Sequence, residues 1–277
     1  MGKFDRVIIV SDIDGTFLGK NSRIVPENLE AIEYFKREGG CFTIATGREV
    51  FSIPRCIPMV KELCNGPIIV CNGAFIYDLQ QEKVVVEEFL PEPEISGIVE
   101  AVREVCPDVS MRIACGGKQL TDKDYPILRP TREKYRGFIE TVDYDEIPRG
   151  CWHQITWMGE PEQMEQVRRT VEPRLQGGCV CAMSGKTMFE IFSVRGTKGA
   201  MLSRLKAATG RENAVLWAIG DYENDLSMLQ LADRSAMPSN GIDRLREIPG
   251  MVEVCDHDEG AIADLIRYIE RELDGEE

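Results

Sequence analysis

Apolar residues follow two different rhythms along this chain of 277 residues. Toward both ends they come as short unbroken runs: Val7–Val10, Cys41–Ala45, Ile68–Cys71 and Ala214–Ile219. Each run stops at small or polar residues, namely Ser11-Asp12, Thr46-Gly47-Arg48, Asn72-Gly73 and Gly220-Asp221. Between the runs the spacing turns helical. Over Pro26–Glu38, Leu29, Ile32 and Phe35 share a face, Pro26 suits a first turn and Gly39-Gly40 stops the helix. Further helices are predicted over Ile57–Leu63, after Gly199, and over Asn224–Leu231, Ile242–Glu247 and Gly260–Leu273. Two short strands, near Arg234–Met237 and Val252–Cys255, alternate with the last of them. Unbroken apolar strands separated by helices predict a parallel sheet covered on both faces.

The rhythm changes in the middle of the chain. Phe75–Tyr77 and Val84–Phe89 read as a hairpin around Asp78–Lys83. Beyond it, the helices Pro93–Val105 and Pro161–Gln176 sit among the strands Met111–Cys115, Gln154–Trp157, Val180–Met183 and Met188–Phe192. Successive strands joined by turns such as Ser184-Gly185-Lys186 predict an antiparallel sheet with helices on one face. The expected organisation is therefore an α/β core, Rossmann-like, made of residues 1–80 and 191–277, with an α+β domain inserted at 81–190. Within the insertion, Trp152, His153 and Trp157 read as a core strand plus an edge residue, and Glu190 as a paired structural glutamate. Lys118, Asp122, Lys123, Asp124, Arg129 and Arg132 read as a solvated run.

Composition narrows the partners. The formal net charge is −14, which opposes sequence-independent nucleic-acid binding and anionic membrane surfaces. An anionic substrate would need local cations to overcome that field. Ten cysteines contain no C-x-x-C pair, and His153 and His257 lack metal-ligand spacing to them, so buried thiols in a reducing compartment are expected. Asp5 and Arg6 precede only four apolar residues, too few for a signal peptide, and no run is long enough to span a bilayer. The expectation is a cytoplasmic monomer or homodimer.

The strand ends carry the candidate chemistry. Asp12 and Asp14 follow the first strand, Thr46, Gly47 and Arg48 the second, and Gly220, Asp221, Asn224 and Asp225 a late one, with Lys198 opening the helix before it. In a parallel sheet these ends share one edge. Read locally, the two early aspartates are helix caps; read together, the set is four carboxylates, a hydroxyl, an amide and a lysine. Hard oxygen donors of this kind suit Mg²⁺. A lysine and a hydroxyl beside such a site suit a phosphate. One carboxylate can then attack phosphorus while a second protonates the leaving oxygen and activates water.

Asp12-Ile13-Asp14-Gly15-Thr16, Thr46-Gly47-Arg48, Thr197-Lys198-Gly199 and Gly220-Asp221-Tyr222-Glu223-Asn224-Asp225 resemble the four ordered motifs of the haloacid dehalogenase superfamily of phosphatases. Asn72-Gly73-Ala74 followed by a large insertion is similar to the Cof-type branch, subfamily IIB. The resemblance implies a Mg²⁺-dependent phosphatase that acts on small phosphorylated metabolites, sugar phosphates first, through an aspartyl-phosphate. It implies that Asp12 is the nucleophile and Asp14 the general acid/base. The metal would be held by Asp12, Asp14 (through its carbonyl) and Asp221, with Asp225 at the same centre orienting a bound water and Lys198. The phosphate would be held by Thr46, Gly47, Lys198, Asn224 and the Ile13 amide, with Arg48 beside them, solvated, or turned to the inserted domain. That inserted domain would choose the substrate. A phosphomutase and a non-catalytic phosphometabolite-binding protein are the alternatives. Met237-Pro238-Ser239-Asn240 departs from the Met-Gly-Asn-Ala usual in relatives, which leaves Asn240 without an assigned role.

Overall fold

A computed structural model describes residues 2–134 and 136–275. The chain divides into two compact units, Met1–Val86 with Lys198–Glu277, and Glu87–Thr197.

The first unit is built on a parallel sheet. Its strands run in the order Val252–Val254, Arg234–Pro238, Val215–Ile219, Val7–Ser11, Cys41–Ile44. A parallel bridge between Ala45 and Ile69 extends it toward Ile68–Val70. Alternation along each strand sends residues to opposite layers. Val7, Ile9, Phe42, Ile44, Trp217 and Ile219 join the helices Pro26–Arg37 and Ala261–Asp274 through Ile32, Phe35, Leu265, Ile266 and Ile269. Ile8, Val10, Leu216 and Ala218 join Leu202–Thr209 and Leu226–Leu231 through Leu202, Leu205, Met228 and Leu229. Each buried Val, Leu, Ile, Phe or Met among these contributes roughly 1.5–3 kcal/mol by leaving water. The chain leaves Val7–Ser11 toward one edge of the sheet and later fills the other edge. The gap between Val7–Ser11 and Val215–Ile219 is thus a topological switch point, where open α/β sheets bind ligands.

The second unit holds a six-stranded sheet in the order Ile139–Thr141, Lys118–Thr121, Ser110–Cys115, Trp152–Met158, Met188–Ser193, Cys179–Gly185. All pairs are antiparallel except Ile139–Thr141 with Lys118–Thr121. The helices Glu92–Val105 and Pro161–Val171 cover one face, where Ile95, Ile98, Val102, Met164 and Val167 pack on Met111, Ile113, Ile155, Trp157 and Phe189.

Several expectations are corrected. The helix expected over Ile57–Leu63 is broken into Ile53–Cys56 and Val60–Leu63, because Pro58 disfavours helical backbone at Ile57 (φ −129°, ψ 80°). The helix begun at Pro161 ends at Val171, where Pro173 removes a donor. Lys118–Thr121 is a strand inside the run read as solvated, and Ile139–Thr141 is a strand that the sequence pattern does not predict. Asp122 is not solvated: its buried carboxylate faces Arg103 at 3.5 Å and accepts from the Tyr125 hydroxyl at 2.9 Å. His153 is no edge residue either. It is 3% exposed and its Nε2 lies 2.9 Å from Glu87 Oε1, while burial pushes its pKa down. All ten cysteines are free thiols. Among the described residues no helix is long and apolar enough to cross a membrane.

Candidate active site

The switch point delivers Asp12 and Asp221 to the same edge. Ser11 pairs in register with Ile219, and the Asp12 amide donates to the Ile219 carbonyl at 2.9 Å, carrying the ladder one residue past the strand. Asp221 stands two residues beyond Ile219. The loop after Asp12 turns at Gly15, whose φ of +85° is left-handed. A Cβ there would sit 2.3 Å from Asp221 Oδ2, so only glycine lets the loop pass this carboxylate. One residue on, the Thr16 hydroxyl donates to Asp221 Oδ1 at 2.9 Å. The loop is pinned from outside by Asn240, which donates to the Gly15 carbonyl at 2.8 Å and accepts from the His257 amide at 3.0 Å. Asn240 thus has a positioning role that the sequence left open.

Lys198 lies just ahead of the helix Leu202–Thr209 and is completely buried. Its Nζ donates to Asp12 Oδ1 at 2.5 Å and to Asp225 Oδ1 at 2.6 Å. The other oxygen of Asp225 accepts the backbone amides of Asp221 and Tyr222 at 2.9 and 3.1 Å. Both oxygens of Asp225 are therefore engaged, which suits it to hold Lys198 and the loop in place. Carboxylate oxygens of Asp12, Asp221 and Asp225 lie within 4.8 Å of one another.

Three buried carboxylates against one buried ammonium leave negative charge uncompensated. Burial pushes the Asp12 carboxyl well above the usual range, with Asp225, Asp221 and Asp14 adding to the push against the pull of Lys198. Asp221 is pushed up to about 7, by burial first and Asp225 second, with Thr16 and Lys198 opposing. Burial works against the charge on Lys198, and Asp12 and Asp225 more than offset it, so its pKa lies above the ordinary lysine value. An all-oxygen donor set with surplus negative charge fits a divalent cation such as Mg²⁺ and is a poor match for zinc.

Asp14 lies apart from this cluster. Its carboxylate is 54% exposed and bound on both oxygens by Arg48, from Nε at 2.6 Å and Nη2 at 2.7 Å. Arg48 thus turns back onto its neighbouring strand end. Ile13 is buried in the core, so only its backbone is available to a ligand. Thr46 is 1% exposed, and its hydroxyl accepts the Arg48 amide at 3.1 Å.

Asn72 was missed as a site residue. Fully buried and left-handed (φ 55°), it donates its amide to the Thr46 carbonyl at 2.9 Å and accepts from Asn224 Nδ2 at 3.1 Å. A Cβ on Gly47 would stand 3.1 Å from its Oδ1. Asn72 therefore ties together the ends of the second, third and late strands. Its signal in the sequence is an asparagine-glycine pair closing an apolar strand.

Residues 9–266 match the family model described as haloacid dehalogenase-like hydrolase. Among curated proteins, the chain is 24% identical to the pyridoxal phosphate phosphatase YbhA of Escherichia coli, over 94% of this chain and 97% of that one. It is 26% identical to the 5-amino-6-(5-phospho-D-ribitylamino)uracil phosphatase YwtE of Bacillus subtilis, over 86% and 90%. Its fold superposes on a solved sugar phosphatase of haloacid dehalogenase subclass IIB with a TM-score of 0.78 at 19% identity, covering 95% of this chain and 98% of that one. With the ordered strand-end residues and the inserted second unit, this match over almost the whole length makes the chain a member of the haloacid dehalogenase-like hydrolases, and a phosphatase within it.

Proposed function

We propose that the chain is a Mg²⁺-dependent phosphatase of small phosphorylated metabolites, with phosphate esters of sugars and related polyols as the preferred class. The observation that carries this reading is the buried cluster of Asp12, Asp221 and Asp225 with Lys198 at the switch point. The relatives that act on pyridoxal phosphate and on a phosphoribityl compound support a small-metabolite substrate.

Asp12 and Asp221 would hold the cation with the Asp14 carbonyl. A Mg²⁺ ion bound there supplies charge compensation, lowering the repulsion between a carboxylate nucleophile and a phosphate dianion. Asp12 attacks phosphorus and forms the aspartyl-phosphate. Lys198, fixed between Asp12 and Asp225, presents its ammonium to the phosphate oxygens, with Thr46, Gly47, Asn224 and the Ile13 amide as further donors. Asp14 protonates the leaving oxygen and later takes a proton from water. To do so its carboxylate must exchange an Arg48 hydrogen bond for the substrate, so Arg48 is the residue that sets where Asp14 rests. Residues 81–190, the inserted domain, would select the organic part of the ester.

The test is phosphate release over a broad panel of phosphate monoesters, with and without Mg²⁺, for the wild type and Asp12→Asn. Mg²⁺-dependent release by the wild type and none by the variant is expected. Release by Asp12→Asn at the wild-type rate sinks the scheme.

A further inference from the structure

Two thiols of the second unit touch. Cys115 ends the strand Ser110–Cys115, and Cys151 immediately precedes the strand Trp152–Met158. The two strands are antiparallel neighbours with Cys115 opposite Trp152, so Cys151 is the diagonal neighbour of Cys115. The Cα atoms of such a diagonal lie roughly 6 Å apart, inside the range that a disulfide spans. The register shifts between Trp152 and Gln154, and both thiols pack with the apolar cluster under the helices. There the two Sγ atoms are 2.8 Å apart.

The backbone holds this meeting from both sides. Cys115 pairs with Trp152 on one side and with Lys118 on the other, across the two-residue turn Gly116-Gly117. Both glycines are left-handed (φ +59° and +77°), as a tight hairpin turn requires. Cys151 follows Gly150, left-handed at φ +73°, and the Arg149 guanidinium before it lies over the Tyr144 and Trp152 rings at 4.5 and 4.8 Å. Rotation of the two side chains, with the strand pairing kept, brings the sulfurs to bonding distance. The two thiols differ in access. Cys115 is buried and Cys151 partly exposed. Burial first, and Cys151 second, push the Cys115 thiol up to about 12. Cys151 is therefore the thiol that meets a soluble oxidant, and Cys115 the one that resolves the product.

We propose that Cys115 and Cys151 are a modification site, where a low-molecular-weight disulfide oxidises the pair to an intramolecular disulfide that ties the Gly116-Gly117 turn to the start of Trp152–Met158. The Cys151 thiolate attacks one sulfur of the small disulfide, forms a mixed disulfide and expels one small thiolate. The Cys115 thiolate then attacks Cys151 Sγ, forms the Sγ–Sγ bond and expels the second. Two protein thiols lose two electrons, the small disulfide gains them, and the two protons end on the two small thiols released. Contact between the sulfurs makes the second step intramolecular, which offsets the low acidity of Cys115. The site lies wholly within the second unit, and the inference does not depend on the phosphatase reading.

The experiment incubates the folded wild type with glutathione disulfide, blocks remaining thiols with N-ethylmaleimide in denaturant, and maps tryptic peptides without reduction. The expected product joins peptide 113–118 to peptide 150–168, two hydrogens lighter than their sum, and dithiothreitol separates them. Cys151→Ser, at the partly exposed position, should give no linked product at Cys115. Cys115→Ser should instead retain one glutathione on Cys151, which reads the order of the two steps. Should Cys115→Ser fail to fold by circular dichroism, the wild type and Cys151→Ser carry the test. Peptides 113–118 and 150–168 recovered from the wild type only as maleimide adducts overturn the proposal. So does a main product that links either cysteine to a different one.

Discussion

Replacing Asp221 by asparagine removes one charge from the carboxylate cluster and keeps an oxygen for the Thr16 hydroxyl. In the metal-free protein the Asp221 carboxyl is pushed from its ordinary value of 3.8 up to about 7. The native state therefore binds a proton that the unfolded chain has already released. The stability this contributes is whole below pH about 4 and is lost as pH rises through about 7. A displacement of three units corresponds to about 4 kcal/mol at pH 8, and because Asp12 and Asp225 share the repulsion, about 2–4 kcal/mol is the expected share. Asp221→Asn should thus melt about 3–7 °C above the wild type at pH 8 in EDTA, and at nearly the same temperature at pH 4.5. Mg²⁺ should raise the wild-type melting temperature at pH 8 and raise that of the variant far less. Differential scanning calorimetry at the two pH values, with and without Mg²⁺, reads all of this. Equal melting temperatures at pH 8 in EDTA, or an undiminished response of the variant to Mg²⁺, refute the reasoning.

Three further substitutions probe the surroundings of the cluster. Lys198→Met leaves buried carboxylates without their cation; it should cost about 3–5 kcal/mol in EDTA at pH 8, less at pH 4.5 as the carboxylates protonate, and remove turnover, read by calorimetry and phosphate release. Gly15→Ala forces a Cβ against Asp221 at a left-handed φ, so a loss of about 1–3 kcal/mol and weaker Mg²⁺ binding by titration calorimetry are expected. Arg48→Met removes a partly exposed ion pair, so stability should change by less than about 1 kcal/mol. With Asp14 no longer held, kcat should fall about tenfold with KM little changed, whereas an unchanged kcat would show that Arg48 does not position Asp14.

The meeting of Asp12 with Asp221 was legible because each follows an unbroken apolar strand, and parallel pairing aligns such ends. Lys198 was legible only as a companion, since a lysine before a helix has no meaning until the sheet brings that helix alongside. What escaped reading depends on register and long-range turns. Asn72 acts through Thr46 and Asn224, and the Asn72-Gly73 pair marks a turn without naming those partners. Thr16 acts through Asp221, 205 residues away. Arg48 was left between two orientations because its partner, Asp14, lies on another strand end. Lys118–Thr121 escaped because Leu120 is its only apolar residue, so it does not stand out from charged loop, although Gln119, Leu120 and Thr121 are all buried. Glu190 read alone is a structural glutamate, and its network with Gln154, Thr156 and Ser184 exists only after three strands align.

The central claim is that Asp12 is the group that takes the phosphoryl. Rapid mixing of enzyme, Mg²⁺ and a phosphate monoester, followed by borohydride reduction and peptide mass spectrometry, tests it directly. An acyl-phosphate at Asp12 is reduced to homoserine at that position, and the account predicts this change in the Asp12 peptide with none in Asp12→Asn. Steady phosphate release with an unmodified Asp12 peptide, or trapping at any other carboxylate, contradicts it.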